Sequence, residues 1–274
     1  MTSFKLASSP LPGPARSGPM VHVAVVPKVY FYPSVDGVEY KNELEADGQK
    51  HLHTYGFGKL YVVRFNTIVA EYEARGGPKE TFKGDDGHIH SPIPPGNYVL
   101  SAAIQYTTPN WPNSCIPWGA QIRKAPNDEI QYDSGSGWQY ATGSPKAKMN
   151  EALRNYWARL GKPPLSESEL NKNAREQFDI NPDDPRKTLV AVWQRNDFGQ
   201  WAFALLKDGK KTGFFIHTTP DDELTPNGTP IQLGSSHGCI HMRPVDRNEA
   251  KEKKYLDRGV TLHVTAFNAK GRPV

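Results

Sequence analysis

The 274-residue chain carries 33 Lys plus Arg against 29 Asp plus Glu, a net charge of +4. That mild basic bias contains no dense cationic run and no binding motif, which excludes a nucleic-acid-binding protein by charge. Two cysteines exclude a disulfide-stapled scaffold, and no apolar run is long enough to span a bilayer.

Residues 1–20 contain Pro10, Pro12, Pro14 and Pro19 and no long apolar core, so they read as a disordered arm and not as a Sec-type leader. An N-terminal extension follows over 21–56. In it 21–26 and 29–32 read as strands split by Pro27, and 36–56 is polar and reads as loop. Residues 59–65 and 67–72 read as paired strands turning at Asn66, followed by a Gly-, Asp- and His-rich loop over 76–91. Residues 97–106 and 118–123 read as strands. Between about 125 and 186 the pattern turns helical. Met149, Leu153, Trp157 and Leu160 recur at helical spacing, and Ser166-Glu167-Ser168-Glu169 is a capping box for a second helix bearing Leu170, Ala174 and Phe178. Strands resume over 188–194, 200–206 and 212–216. Asp246 with Glu249 predicts a capped helix, with Val245 stapled onto Ala250, and 260–267 closes the sheet. The expected class is mainly β with a helical insertion, and the insertion reads equally as a lid or as plain scaffold.

The chemistry concentrates in two places. Gly213-Phe214-Phe215-Ile216-His217 reads as a strand ending in an imidazole, and Ser235-Ser236-His237-Gly238-Cys239-Ile240-His241-Met242 holds a thiol between histidines. The intervening loop is rich in Pro, Asn and Gly and can fold back to bring Cys239 beside His217. A thiolate is the nucleophilic form of cysteine, and a neighbouring imidazole can take its proton. Gly238 removes a side chain next to the sulfur, so that backbone N–H groups can approach an oxyanion. A lone cysteine is ordinarily a small buried hydrophobe. Cys115, flanked by Ser114 and Ile116, fits that description, and Cys239 in its company does not.

At these residues the chain resembles the L,D-transpeptidase catalytic domains. In that family a histidine is followed, after a loop, by Ser/Thr-His-Gly-Cys and a hydrophobic residue, as in His217 and Ser236-His237-Gly238-Cys239-Ile240. Weaker likenesses lie in Ser91-Pro92-Ile93-Pro94-Pro95-Gly96-Asn97-Tyr98, in Ile116-Pro117-Trp118-Gly119, in Val245-Asp246 and in Gly259-Val260-Thr261-Leu262-His263-Val264. The likeness covers roughly 57–267, broken by the 125–186 insertion, and implies a β-sandwich or mixed-sheet catalytic domain.

It implies Cys239 as nucleophile and His217 as general base, with Thr218 orienting the base through its backbone. His237 and Gly238 would shape the oxyanion environment with the Cys239 N–H, and Ser236 would support them. Where the family commonly has Arg or Asn two residues after the cysteine, this chain has His241, and Arg243 can share that work. Arg243, Arg195 and Arg123 are candidates for a substrate carboxylate, which Arg matches at two points. Trp111 and Trp138 could line a glycan or peptide groove, while Trp118 reads as core. The implied substrate is the peptidoglycan stem peptide, with release of terminal D-alanine and transfer to an amine or to water. The implied chemistry needs no metal and no organic cofactor.

Two rival classes remain at this point. His51-Leu52-His53, His88-Ile89-His90 with Asp85 and Asp86, and the alternating His237, Cys239 and His241 could bind zinc in a metal-dependent hydrolase. A non-enzymatic wall-binding module is the other, and it leaves the surroundings of Cys239 unexplained. A peptidoglycan enzyme works in the periplasm or cell envelope, yet no leader is visible. A lost leader, a cytoplasmic role and delivery by a specialised secretion machine all fit. The last, as an antibacterial effector with an immunity protein as partner, is the working expectation.

Overall fold

The computed structural model describes residues 26–108, 111, 114, 116–124, 130–140, 189–193, 196–219, 222–223 and 233–274. The strands in chain order are β1 (Lys28–Tyr32), β2 (Val38–Leu44), β3 (Lys50–Gly56), β4 (Gly58–Arg64), β5 (Thr67–Arg75), β6 (Phe82–Lys83), β7 (Ile89–His90) and β8 (Gly96–Leu100). They continue as β9 (Gln121–Lys124), β10 (Ile130–Asp133), β11 (Trp138–Tyr140), β12 (Leu189–Val192), β13 (Phe203–Lys207), β14 (Lys210–His217), β15 (Ile240–Met242) and β16 (Thr261–Val264). One described helix, α1 (Pro244–Glu252), lies between the last two strands.

Eight strands close into a barrel in the order β1-β16-β8-β13-β14-β15-β5-β4, with β4 returning to β1. Side chains alternate across a strand, so every second residue enters the interior. Val29 and Phe31, Leu60 and Val62, Leu262 and Val264, Ile216, Ile240 and Met242 meet there in one buried cluster. Eight strands leave an interior just wide enough for such side chains to fill. β1 with β16 and β14 with β15 pair in parallel; the other barrel pairs are antiparallel.

The hairpin expected around Asn66 forms as β4 and β5, with Phe65 and Asn66 at φ of 50° and 57°. The mainly β expectation also holds. The polar stretch 36–56, read as loop, is instead the β2–β3 hairpin. Val38, Tyr40 and Leu52 are exposed, so the polarity there marks a hairpin wetted on its surface and not an absence of strand. The strand expected over 97–106 ends at Leu100, because Ser101 Oγ takes up the Ala204 N–H at 2.9 Å and interrupts the ladder, which resumes only as the single Ile104–Ala202 bridge.

Inside the span read as helical, residues 130–140 form the β10–β11 hairpin. Gly135 and Gly137, at φ of 81° and 135°, make the turn that a side chain would resist. This hairpin continues a second sheet, β11-β10-β9-β12. The two helices expected near 148–178, the arm over 1–20 and Cys115 lie outside the described residues.

α1 starts earlier than the Asp246 cap anticipated. Pro244, whose fixed φ suits the first helical position, opens it with Arg243 as N-cap, and Asp246 sits within the first turn. Val245 is exposed and staples nothing. Arg247 and Ala250, three apart on one face, turn into the protein.

Candidate active site

The site is set by two rungs of parallel sheet. Ile216 pairs with Ile240 and His217 with His241 between β14 and β15. Because Ile216 and Ile240 fill the barrel, the alternate residues Phe215, His217 and His241 face outward. Cys239, one residue before β15, shares that face and packs against the cluster of Phe198, Ala202, Ala204 and Phe215. Thiol and imidazole thus stand on the same face of neighbouring strands about 4.8 Å apart, with Cys239 level with Phe215 and His217 two residues further on. Tyr106, Phe198 and Phe215 continue as a wall of tilted rings with centroids 4.5 to 5.2 Å apart.

His217 is buried and fixed from behind. Its Nδ1 lies 2.6 Å from the Thr218 carbonyl oxygen. A carbonyl only accepts, so Nδ1 carries the proton and Nε2 is left as the acceptor. Phe198 lies against one side of the ring at 4.8 Å and His241 meets it edge-on at 4.7 Å. Behind Thr218 sits a buried network. The Thr218 hydroxyl donates to Glu223 Oε1 at 2.5 Å and accepts from Arg247 Nη1 at 2.8 Å, and Arg247 and Glu223 form an ion pair. Glu223 also accepts the Gln200 N–H at 2.8 Å. Gly199, at φ of 64°, makes room for this: a Cβ there would lie 1.9 Å from the Thr218 hydroxyl oxygen.

The thiol loop is stitched to the barrel's other side. The Ser91 N–H donates to the His237 carbonyl at 2.7 Å, and the Ser236 N–H donates to the Gly76 carbonyl at 3.2 Å. Gly238 lies so close to Gly77 that a Cβ on Gly77 would come within 2.8 Å of the Gly238 Cα. Ser236 Oγ accepts the Gly238 N–H at 3.0 Å, which fixes the turn leading into Cys239. His237 points away from Cys239 and His241, toward Asp86, with Nε2 3.3 Å from Asp86 Oδ2.

Burial decides the resting charges. It pushes the Cys239 thiol up to about 12, against a smaller opposing pull from the Phe215 backbone. It holds His217 well below the usual imidazole range, with His241 adding to the depression. It lowers His241 to about 4, opposed by the Gly234 carbonyl 3.2 Å from its Nδ1. At neutral pH the resting site therefore holds a thiol and a neutral imidazole.

This arrangement has a cost in acid. The unfolded chain protonates its histidines near the ordinary value of about 6.5. The folded chain resists until about 4 at His241, so the unfolded state binds more protons between these values. The stability present above pH 6.5 is thus lost as pH falls toward 4, by about 1.4 kcal/mol per unit for each such histidine. Melting temperatures taken between pH 7 and 5 are expected to fall steadily. The slope is expected to shrink in His241→Asn, which removes one of the buried histidines that resist protonation, and to persist in part through His217 and His90.

The other expected residues are scattered. Arg243 is ion-paired with Glu73. Arg123 lies on β9 of the second sheet, away from the strands that carry Cys239 and His217, and Arg195 lies outside the described residues. Of the expected zinc groups, His51 pairs with Asp47 at 2.9 Å and His53 with Glu45 at 3.0 Å. His237 does not align with Cys239 and His241, because the strand begins only at Ile240.

Sequence reading missed Glu223 and Arg247, which hold the base from behind, and Phe198, which flanks it. A signal for Arg247 existed: it shares a helical face with Ala250, so a buried partner was required.

A model of the L,D-transpeptidase catalytic domain matches residues 58–250. No curated protein and no solved structure matches the chain. The matched span runs from β4 through α1 and so takes in both strands of the thiol–imidazole face together with Thr218, Glu223 and Arg247. With most of its length covered, this chain belongs to the L,D-transpeptidase catalytic-domain family, peptidoglycan enzymes.

Proposed function

We propose that the protein is a cysteine acyl transferase acting on peptidoglycan stem peptides, with Cys239 as nucleophile and His217 as general base. The observation that carries this reading is the outward face shared by Cys239 and His217, with the His217 Nδ1 proton held on the Thr218 carbonyl at 2.6 Å. The orientation leaves Nε2 to take a proton, and a fixed imidazole is what thiol activation needs.

The reaction follows from the resting charges. Substrate enters along the aromatic wall and excludes water. As the sulfur attacks the carbonyl carbon of the third stem residue, the thiol proton passes to His217 Nε2. The tetrahedral intermediate collapses and breaks the amide bond to terminal D-alanine, whose amine takes the proton back from His217. An amine or water then attacks the thioester and frees the sulfur. A cross-bridge amine gives a crosslink, a free D-amino acid gives exchange, and water gives a shortened stem.

Mass spectrometry of muropeptides from tetrapeptide-stem peptidoglycan tests this. Loss of one D-alanine, blocked by prior alkylation of the enzyme, supports the reading, and the product names the acceptor. Unchanged tetrapeptides with folded, reduced enzyme would overturn it.

A peptidoglycan substrate implies action in the cell envelope, and both that location and an antibacterial role are part of the proposal. Among the described residues no helix is long and apolar enough to cross a membrane. Directing the chain to the periplasm of a test bacterium should halt growth with the wild type and not with Cys239→Ala. Equal growth with both would remove the toxic role while leaving the chemistry standing.

A further inference from the structure

Asp86, His90 and His237 bring one ligand atom each to within 4.8 Å of one another. They come from two separate segments. Asp86 lies within the tight turn between β6 and β7, His90 ends β7, and His237 is two residues before the proposed nucleophile. His237 Nε2 stands 3.3 Å from Asp86 Oδ2, and His90 Nε2 stands 3.8 Å from Asp86 Oδ1. In a tetrahedral zinc site with bonds of 2.0 to 2.1 Å, the edge between ligand atoms is about 3.3 Å. The two imidazoles thus reach opposite oxygens of one carboxylate near that edge length, and with all three ligand atoms within 4.8 Å of one another a zinc ion would have to draw them in by up to about 1.5 Å.

Three further observations point to a ligand. First, His90 Nε2 is buried with no hydrogen-bond partner, and a buried polar atom left unpaired is costly. Second, Gly84 lies directly beneath: a Cβ there would sit 2.8 Å from both Asp86 Oδ1 and His90 Nε2, so any side chain would fill the space in front of the ligand atoms. Third, the orientations are built in advance. Asp86 Oδ1 accepts the His88 N–H at 2.9 Å, and the His90 ring is stacked on Phe82 at 4.4 Å, with His53 on the opposite side of Phe82 at 3.7 Å. Outer partners of this kind aim the ligands of known metal sites.

We propose that Asp86, His90 and His237 form a binding site for a zinc ion that clamps the β6–β7 turn onto the thiol loop. Two imidazoles and one carboxylate suit zinc, and three protein ligands leave a fourth position for water or a carboxylate. The two segments are already joined where the Ser91 N–H meets the His237 carbonyl at 2.7 Å, so the clamp closes a contact that exists. Drawing His237 onto the ion fixes the residue two before Cys239. A fall in turnover is the expected consequence, and that consequence alone rests on the acyl-transfer reading.

The test is calorimetric titration of the full, metal-free chain with zinc chloride. The expected result is one ion per chain with Kd tighter than about 20 μM, weakened at least tenfold in both Asp86→Asn and His90→Gln. Binding is expected to persist within about threefold in Cys239→Ala, because the thiol is not a ligand. Melting curves show that each variant is folded, and Asp86, being exposed, is the safer of the two. Weaker binding, loss of binding in Cys239→Ala, or unchanged binding in Asp86→Asn would each overturn the site. Zinc should also slow the wild type and leave His90→Gln at its own metal-free rate. A chain that binds zinc as described yet shows no stem-peptide activity would sink the acyl-transfer reading and leave the site intact.

Discussion

Cys239→Ala is expected to lower stem-peptide turnover by on the order of 10,000-fold or more, because loss of a nucleophile removes the covalent route and leaves only binding and positioning. Among the described residues the nearest hydroxyl in the thiol segment, that of Ser236, is engaged with the Gly238 N–H. The fold should survive, since a small side chain at the edge of the aromatic wall is exchanged for one slightly smaller, and the melting temperature should move by only a few degrees. Steady-state release of D-alanine, measured beside a melting curve, separates loss of chemistry from loss of structure. The same thiol reports its resting state. With the thiol pushed up to about 12, iodoacetamide labelling of free enzyme should rise about tenfold per pH unit from 7 to 9 without a plateau. A plateau beginning near pH 5 would mean a thiolate–imidazolium pair at rest and would contradict the neutral site described above.

Glu223→Ala should be the most destabilising single change near the site. It leaves the Arg247 guanidinium, which is fully buried, without its carboxylate, and it strips the Thr218 hydroxyl and the Gln200 N–H of their acceptor. Breaking a buried ion pair from one side costs about 3 to 5 kcal/mol. In a chain of this size that is a fall in melting temperature on the order of 10 °C. Glu223→Gln keeps an acceptor and should lose less. Activity of the folded fraction should fall as well, because Thr218 is the residue whose carbonyl holds the His217 proton. If Glu223→Ala melts within about 2 °C of the wild type, the ion pair is not what holds the base in place.

The thiol face was legible in the sequence because each of its two halves is a short run with a distinctive pattern of its own. His217 ends an apolar strand, and Cys239 directly precedes the next, with a short, distinctive run on either side. The β4–β5 hairpin was legible because Asn66 sits between two alternating runs. What escaped carried no local pattern of its own. Glu223 and Arg247 are 24 residues apart and meet only once β14, the loop and α1 are packed. The β2–β3 hairpin escaped because strand reading leans on one buried face, and 36–56 has little to bury. Asp86, His90 and His237 were each visible, but the sequence suggested grouping His237 with Cys239 and His241. The late start of β15 turned it elsewhere.

The parallel joining of β14 to β15 has a consequence for when the protein becomes reactive. These strands are separated by 22 residues of sequence, and their alignment rests on two rungs. A slip of one residue would exchange faces, sending Cys239 inward beside Ile216 and turning Ile240 and Met242 out beside the imidazole. The chain therefore cannot acquire a competent thiol by halves: a collapsed barrel with this one seam misaligned would be compact and chemically silent. Reactivity should emerge as the last cooperative event of refolding, so the return of turnover will lag behind the return of sheet signal and report the closing of that seam alone.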